Sequence, residues 1–464
     1  MTMRLAIIGA GFTGTQTALE LLRRLPAGSS ILLFERSGVF GPGLAYSTAH
    51  ADHLLNVRAA NMSAFEDDPS HFLRWLWAGD LPGPLVPPSG HAFMPRGLYG
   101  RYLAETLAAA ETQASPEVTV ERIARSVNGV DEADEGVDLQ FSDGGRCRVD
   151  LAVVATGNNP PQWPYPEGLA AIDPRRLIGD PWDDGELGRI GPDDDVVILG
   201  TGLTAVDVVT LLGRRGHRGR ITALSRRGLL PSVHEQTRPW KPFLVPGDDP
   251  RPLAYLRRVR AEVRKAAAEG IGWRSVVDAL RPATQDLWRA LPLAERRRFL
   301  RHLRPWWEIH RHRMAPQVAE GIFALRDAGQ FVVRAGRIRG WAAAPEGFAI
   351  TLGPKGGGAA ERLTAGFVVN CTGVSVDYRR ITAPLVRHLL DRGLARPDSL
   401  GLGFDVDEDF GLIAADGTAS RRLFALGPPC KSALWEITAA PDIRKQSRAF
   451  ALRLFPDRDR GTPS

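Results

Sequence analysis

The sequence predicts an α/β fold built from two copies of one strand–turn–helix unit. Two glycine-rich segments lie about one domain apart, GAGFTG at residues 9–14 and GTGLTA at residues 200–205. Each follows a short apolar run, LAII (5–8) or VVIL (196–199), and each precedes a stretch typical of a helix. This order of strand, glycine turn and helix is the context in which the pattern indicates a dinucleotide-binding site. The chain is therefore expected to contain two Rossmann-like domains.

A later segment in each half supports the duplication. VDLAVVATG (149–157) and TAGFVVNCTG (364–373) are both apolar strands that end in Thr-Gly. Before each lies a run of alternating residues with turn residues in it, at 136–150 and at 347–363. Such runs predict strands inserted into a nucleotide-binding half.

The glycines have separate tasks in such a turn. The first glycine of each segment, Gly9 or Gly200, allows the tight turn, and the second, Gly11 or Gly202, lets the backbone approach a pyrophosphate. The helix N-terminus then offers free N–H groups and a positive dipole end to the anion. Two such segments in one chain indicate a protein that holds two dinucleotides.

The residues after the second strand of each unit distinguish the two sites. The run ILLF (31–34) ends at Glu35, about twenty residues after the first fingerprint, where a carboxylate accepts hydrogen bonds from a ribose. FAD and NAD both satisfy this arrangement. The corresponding run ITAL (221–224) is followed by Ser225, Arg226 and Arg227, with no acid. Arginines and a hydroxyl attract a 2′-phosphate, so the second site is expected to bind NADP. The alternative is that both arginines are solvated surface charges.

Length and composition agree with this organisation. A chain of 464 residues is too long for a single core. The first domain is expected at residues 1–165 and 375–464, with a second domain at 190–374 inserted into it. A helical, arginine-rich insert is expected at 236–325.

Charge and cysteine usage exclude several classes. The net charge is +6, but only five of the 59 basic residues are lysine, which favours a genomic bias toward arginine over a nucleic-acid partner. No run of eighteen apolar residues predicts a membrane span. The three cysteines are far apart, which argues against a metal site and a redox dithiol. With a strand entered by Leu5, no signal peptide is expected, and the location is expected to be cytoplasmic.

The chain resembles the FAD–NAD(P)-binding family of flavoproteins, which is related to the NADPH-dependent flavin monooxygenases. The resemblance covers nearly the whole length. The segments that carry it are GAGFTG (9–14), FGPGLAYST (40–48), HLLNVRAANMS (53–63), PRGLYGRYL (95–103), GTGLTAVD (200–207), SRRGLLP (225–231), RPWWEIHRHRMAP (304–316) and LWEITAAPDIRKQS (434–447). One departure is CKSA at 430–433, where the family usually has a glycine.

The resemblance implies FAD in the first domain and NADPH in the second. The implied FAD-binding residues are Gly9, Gly11, Phe12, Gly14, Glu35, Arg36, Tyr46, Asn56, Met62, Thr156, Gly157, Gly427 and Trp435. The implied NADP-binding residues are Gly200, Gly202, Thr204, Ser225, Arg226 and Arg227. Members include N-hydroxylases and urate-hydroxylase-like proteins, so the substrate stays open.

The resemblance also implies a reaction class. NADPH would reduce the flavin, and the reduced flavin would use molecular oxygen to hydroxylate a small amine or heterocyclic substrate. The sequence lacks the Phe-x-Gly-x-x-x-His pattern of Baeyer–Villiger enzymes, which favours N- or C-hydroxylation. Two alternatives remain open: an NADPH-dependent flavin reductase or dehydrogenase with another acceptor, and a non-catalytic flavin-binding redox partner.

Catalytic residues are not assigned by the sequence, and the candidates are His234, Arg311, His312 and Lys431. Arg311, His312 and Arg313 could clamp a substrate carboxylate, hold the NADP phosphate, or form a solvated helix end. His234 could donate a proton or simply pack. Lys431, with Glu436, flanks the last helix, and a redox role for the nearby Cys430 is not expected because no second cysteine lies nearby.

Overall fold

The computed structural model describes residues 2–79, 89–114, 117–354 and 358–456. The chain divides into two compact units. The first comprises Met1–Ala51, Val57–Asn159 and Val376–Ser464, and the second comprises Asp52–Asn56 and Pro160–Ser375. Along the chain, the second unit is therefore inserted into the first, as the sequence predicts for the fold class. No helix in the described ranges is both long and apolar enough to cross a membrane.

The N-terminal part of the first unit alternates strands and helices before an antiparallel excursion. Its elements are β1 (Arg4–Ile8), α1 (Phe12–Leu22), β2 (Ser30–Phe34), α2 (Gly43–Tyr46), α3 (His71–Ala78), α4 (Arg96–Gln113), β3 (Thr119–Ile123), β4 (Val127–Ala133), β5 (Gly136–Phe141), β6 (Arg146–Val149) and β7 (Leu151–Val154).

The second unit begins with a short strand and contains most of the helices after its first strand–helix–strand segment. Its elements are β8 (Leu177–Ile178), α5 (Asp184–Leu187), β9 (Val196–Leu199), α6 (Leu203–Arg214), β10 (Ile221–Ser225), α7 (Pro252–Ala268), α8 (Trp273–Asp278), α9 (Thr284–Ala290), α10 (Leu293–Arg298), a π-helical turn (Phe299–Leu303), α11 (Arg304–Arg311), α12 (Pro316–Asp327), β11 (Phe331–Ala344), β12 (Gly347–Pro354), β13 (Glu361–Ala365) and β14 (Phe367–Asn370).

The C-terminal part returns to the first unit with α13 (Pro384–Asp391), β15 (Gly411–Ile413), β16 (Ala419–Ala425) and α14 (Ala440–Leu454). The main sheet of this unit has the order β15-β16-β7-β1-β2-β3. Its strands are parallel except for the β15–β16 pair. β7 is buried along its whole length and β1 along its last four residues, because a parallel sheet is covered on both faces. β4, β5 and β6 form a separate antiparallel sheet.

The sheet of the second unit has the order β13-β12-β11-β10-β9-β14-β8. β8, β14, β9, β10 and the start of β11 are parallel, whereas the rest of β11 pairs antiparallel with β12, and β12 with β13. A bulge between Ile338 and Gly340 interrupts the long β11 where this pairing continues. Bulges bend a strand and increase its twist, so one long strand serves both parts of the sheet.

The helices α7 to α11 have their own apolar core. Its buried members are Phe243, Leu244, Ala266, Val276, Leu280 and Leu287. An ion pair also joins two of these helices. Arg313, only 2% exposed, donates hydrogen bonds to the Asp278 carboxylate over 2.7 Å and to the His310 carbonyl over 2.7 Å. Arg313 therefore fixes the end of α11 against α8. Arg313 is therefore neither a solvated helix end nor available to clamp a substrate carboxylate or hold the NADP phosphate, because its buried guanidinium is paired with Asp278 inside the insert.

Candidate dinucleotide-binding sites

The first fingerprint forms the turn between β1 and α1. Gly9 has φ +104°, and a Cβ atom there would lie 2.5 Å from the Ala155 carbonyl oxygen, just after β7. A Cβ at Gly14 would lie 1.9 Å from the Gly9 carbonyl oxygen. Both positions therefore require glycine for close packing. At Gly11 a Cβ would lie 3.2 Å from the Cα of Gly43, so this turn also contacts the loop that precedes α2.

Glu35 ties the end of β2 to this turn. Its carboxylate accepts a hydrogen bond from the Ala10 backbone N–H over 3.1 Å and others from the Ser37 backbone and hydroxyl. A carboxylate has about four acceptor sites, so Glu35 retains capacity for ribose hydroxyls. The neighbouring Arg36 is exposed.

Tyr46 lies in an aromatic cluster of the first unit. Its ring centroid is 5.6 Å from that of Phe12 and 4.8 Å from that of Tyr99, with edge-on geometry in both pairs. Burial raises the pKa of Tyr46 to about 12. Met62 is 1% exposed in the same unit. These contacts pack the Tyr46 ring against Phe12 and Tyr99, and its role in binding FAD stays a prediction.

The remaining candidates of the first unit follow strands at the carboxyl edge of its sheet. Thr156 and Gly157 come after β7, and Gly427 comes after β16 and donates its N–H to Gln446 of α14 over 2.7 Å. Trp435 is 4% exposed, and the Lys431 ammonium lies 5.5 Å from its ring centroid. The carboxyl edge of a parallel sheet is where ligands bind in open α/β folds.

The CKSA segment is anchored by Asp398. The Ser432 hydroxyl donates to the Asp398 carboxylate over 2.5 Å, and the same carboxylate accepts the backbone N–H groups of Leu400 and Leu402. The Cys430 thiol donates to the Ala425 carbonyl over 2.8 Å, and burial raises its pKa to about 12. A neutral buried thiol is a poor nucleophile, so the chemistry of Cys430 is that of a packing residue.

The second fingerprint repeats the geometry of the first. Gly200 has φ +114°, and a Cβ there would lie 2.0 Å from the Cys371 carbonyl oxygen, which follows β14 as Ala155 follows β7. At Gly202, by contrast, a Cβ would meet no atom within 4 Å. The N-terminus of α6 therefore faces open space beside Gly202, as a pyrophosphate would require.

A cavity of about 330 Å³ opens at this point. It is lined by residues from the sequence-based NADP set, Gly202, Thr204, Ser225, Arg226 and Arg227. α11 and the residue after it also line the cavity, through Arg304, Glu308 and His312. The structure thus brings the glycine turn and the two arginines together in one cavity.

Ser225 shapes the loop that carries the arginines. Its hydroxyl accepts the Gly228 N–H over 2.9 Å and lies 3.0 Å from the Thr201 hydroxyl, which also lies 2.5 Å from the Leu229 carbonyl oxygen. Arg226 is exposed, whereas Arg227 is half-buried with its guanidinium 6.0 Å from the Trp306 ring centroid.

His312 is the one catalytic candidate that lines this cavity; Arg311 does not. His234 lies elsewhere in the second unit, with its Nε2 3.0 Å from the Asn56 carbonyl oxygen. Asn56 belongs to the segment 52–56 of that unit and is thus grouped with His234, apart from the other residues implied for FAD.

Sequence reasoning missed Arg304 and Glu308. The signal was present, because positions 304, 308 and 312 are spaced by four and share one helix face. What was absent was any reason to associate that face with residues 225–227, which are remote in sequence.

Residues 6–159 match the model of the FAD-NAD(P)-binding family. The fold is similar to the reduced form of the ornithine hydroxylase from Pseudomonas aeruginosa, with 15% identity, a TM-score of 0.61, and coverage of 98% of this chain and 99% of that one. It is also similar to L-lysine 6-monooxygenase from Pseudomonas syringae, with 16% identity, a TM-score of 0.59 and the same coverage.

A third similar structure is the ornithine N-hydroxylase from Kutzneria sp. 744, described with reduced FAD, NADP+ and L-ornithine, with 14% identity, a TM-score of 0.60, and coverage of 98% of this chain and 99% of that one. No curated protein sequence matches the chain. The match over residues 6–159 agrees with the predicted resemblance to the FAD-NAD(P)-binding family for that part of the chain, and the structural likeness confirms the doubled α/β fold.

Proposed function

We propose that this chain is an FAD- and NADPH-dependent monooxygenase that hydroxylates a small polar substrate, an amine or a heterocycle. The observation that carries the proposal is the cavity beside Gly202. The N-terminus of α6, which suits a pyrophosphate, and the side chains of Arg226 and Arg227 line this one cavity. The two arginines follow β10, where this fold binds the 2′-phosphate of NADP. A second, separate fingerprint with Glu35 beside it supports an FAD site in the first unit.

Each unit has a distinct task in this proposal. Residues 1–165 and 375–464 form the FAD-binding domain, in which the α1 N-terminus faces the pyrophosphate and Glu35 accepts the ribose hydroxyls. Residues 190–374 form the NADP-binding domain. Bound NADPH and FAD would supply hydride transfer and the activation of molecular oxygen. The protein binds and orients both cofactors, and the arginines of the second site discriminate NADPH from NADH.

The substrate class rests on the similar structures. They are hydroxylases of ornithine and lysine, which supports an amine or amino acid. No side chain is assigned to proton transfer: Lys431 lies against Trp435 and His234 lies beside Asn56, and each stays a candidate. We place the enzyme in the cytoplasm, as its three free cysteines suggest.

The test follows NADPH oxidation by the purified yellow protein against a panel of ornithine, lysine, simple amines and purines. A monooxygenase oxidises NADPH faster when its substrate is added, and mass spectrometry finds one atom of labelled O₂ in the product. Stimulated NADPH oxidation without label in any product would instead indicate the dehydrogenase alternative. A protein that binds flavin but is not reduced by NADPH would indicate the non-catalytic one.

A further inference from the structure

The helical insert forms one wall of the cavity that the proposed function assigns to the NADP phosphate. Arg304, Glu308 and His312 line it from α11 and its C-cap, together with the loop of Arg226 and Arg227. The sequence-based prediction of the NADP site includes only the second fingerprint and the residues after β10, and no residue of α11.

The two walls are joined by backbone hydrogen bonds. The Ser232 N–H donates to the Ile309 carbonyl of α11, and the Met314 N–H donates back to the Ser232 carbonyl, both over 2.9 Å. The His234 N–H then donates to the Met314 carbonyl over 3.0 Å. Residues 232–234 continue the chain just after the arginine loop, so α11 is fixed relative to that loop. Backbone hydrogen bonds therefore hold together the two segments that line the cavity.

A side-chain contact joins the same walls. Trp306 of α11 is 43% exposed, and the Arg227 guanidinium lies 6.0 Å from its ring centroid. A guanidinium at this distance from an indole face is attracted by the ring. This contact links Arg227 of the loop to α11.

The charges of the lining favour an anion. Arg226, Arg227 and Arg304 are cationic, and Glu308 is the carboxylate among the lining residues. Within the described residues, neither Arg226 nor Arg227 has a carboxylate partner. Arg304 lies 3.6 Å from Glu308, and their side chains are 33% and 48% exposed. Exposed pairs of this kind are weak, whereas a phosphate gives an arginine shorter, often bidentate, hydrogen bonds.

We propose that Arg304 is a specificity-determining residue that binds the 2′-phosphate of NADPH, and that Glu308 competes with the phosphate for it. Without nucleotide, Glu308 holds the Arg304 guanidinium on the helix surface. A phosphomonoester displaces Glu308 and takes Arg304 as a third cation beside Arg226 and Arg227. The helical insert thereby contributes to cofactor choice. This inference rests on the proposed NADPH site.

The experiment measures binding by isothermal titration calorimetry with the full chain as purified. The probes are 2′,5′-ADP (adenosine 2′,5′-bisphosphate), which has the 2′-phosphate, and 5′-AMP, which differs from it only in lacking that phosphate. For Arg304→Ala we expect 2′,5′-ADP to bind about tenfold or more weakly, the effect of one charge-assisted contact, with 5′-AMP unchanged. For Glu308→Gln we expect 2′,5′-ADP to bind several-fold more tightly. The control Arg289→Ala removes one exposed, paired arginine from the same insert and should change neither probe.

The outcomes separate the two proposals. If the parent protein does not prefer 2′,5′-ADP to 5′-AMP, the NADPH site itself is wrong. If the parent has that preference and Arg226→Ala weakens it, but Arg304→Ala and Glu308→Gln change nothing, only the role of the insert is wrong. If circular dichroism shows that Arg304→Ala does not fold, the binding of 2′,5′-ADP is measured with Arg304→Gln and Glu308→Gln instead. Unchanged binding in both of these variants would overturn the inference.

Discussion

Replacement of Arg226 by alanine tests whether the cationic loop selects NADPH. Arg226 lines the cavity with its side chain exposed, while Arg227 is half-buried beside Trp306. A hydrogen bond to a charged group contributes about 1.5–3 kcal/mol, and exposure places Arg226 at the lower end. With about 1.4 kcal/mol per factor of ten, we expect the KM for NADPH to rise about tenfold. The KM for NADH should stay nearly constant because NADH has no 2′-phosphate.

The assay is anaerobic stopped-flow reduction of the bound flavin by each nucleotide. Salt adds a second readout: the Debye length shrinks to about 3 Å at 1 M salt, so raising salt should weaken NADPH more than NADH in the parent protein. Arg218→Ala is a matched control, because it removes an exposed arginine of the same unit that is paired with Asp193. Equal reduction by both nucleotides in the parent, or equal losses in Arg226→Ala, would identify these arginines as surface charges and refute the reasoning.

Three further predictions follow from other parts of the structure. Gly202→Val fills the open space beside the α6 N-terminus, so we expect loss of NADP+ binding with an unchanged flavin spectrum; a variant that binds NADP+ normally would contradict the pyrophosphate position. Desolvation lowers the pKa of His217 in the folded state. Below pH 6.5, His217 is therefore protonated in the unfolded state but stays largely neutral in the folded state. The free energy of unfolding should fall between pH 7 and 5.5, and urea titrations should find a smaller fall in His217→Gln; an equal fall in both would contradict it. Cys371 and Cys430 are buried with raised pKa values, whereas Cys147 is half-buried, so a thiol reagent should label one cysteine per native chain and three after denaturation. Rapid labelling of all three in the native protein would exclude this packing.

The doubled fold could be predicted from the sequence because its constraints are local. Gly9 and Gly200 have φ values of 104° and 114°, a conformation of the strand-to-helix turn that favours glycine. The contrast between Glu35 and Ser225 to Arg227 is also local, because the fold places these residues directly after the second strand of each unit. Patterns confined to a few residues, at positions fixed by backbone geometry, are readable without tertiary information.

The features that escaped prediction depend on contacts between distant segments. His312 and Arg313 are neighbours in one basic run. Arg313 is nevertheless buried in an ion pair with Asp278, whereas His312 lines the cavity, and the packing of α11 on α8 determines this difference. The sequence spacing of Arg304 and Glu308 implies only a helical ion pair.

The role that we propose for Arg304 and Glu308 depends on the strand-like hydrogen bonds that join residues 232–234 to the end of α11. Because these bonds hold α11 beside the arginine loop, the proposal makes the insert part of the nucleotide site. Selectivity for NADPH would then depend on two segments that the chain separates by most of a domain. A substitution in the packing between α8 and α11, such as Asp278→Asn, should accordingly lower the preference for 2′,5′-ADP without touching any residue of the cavity.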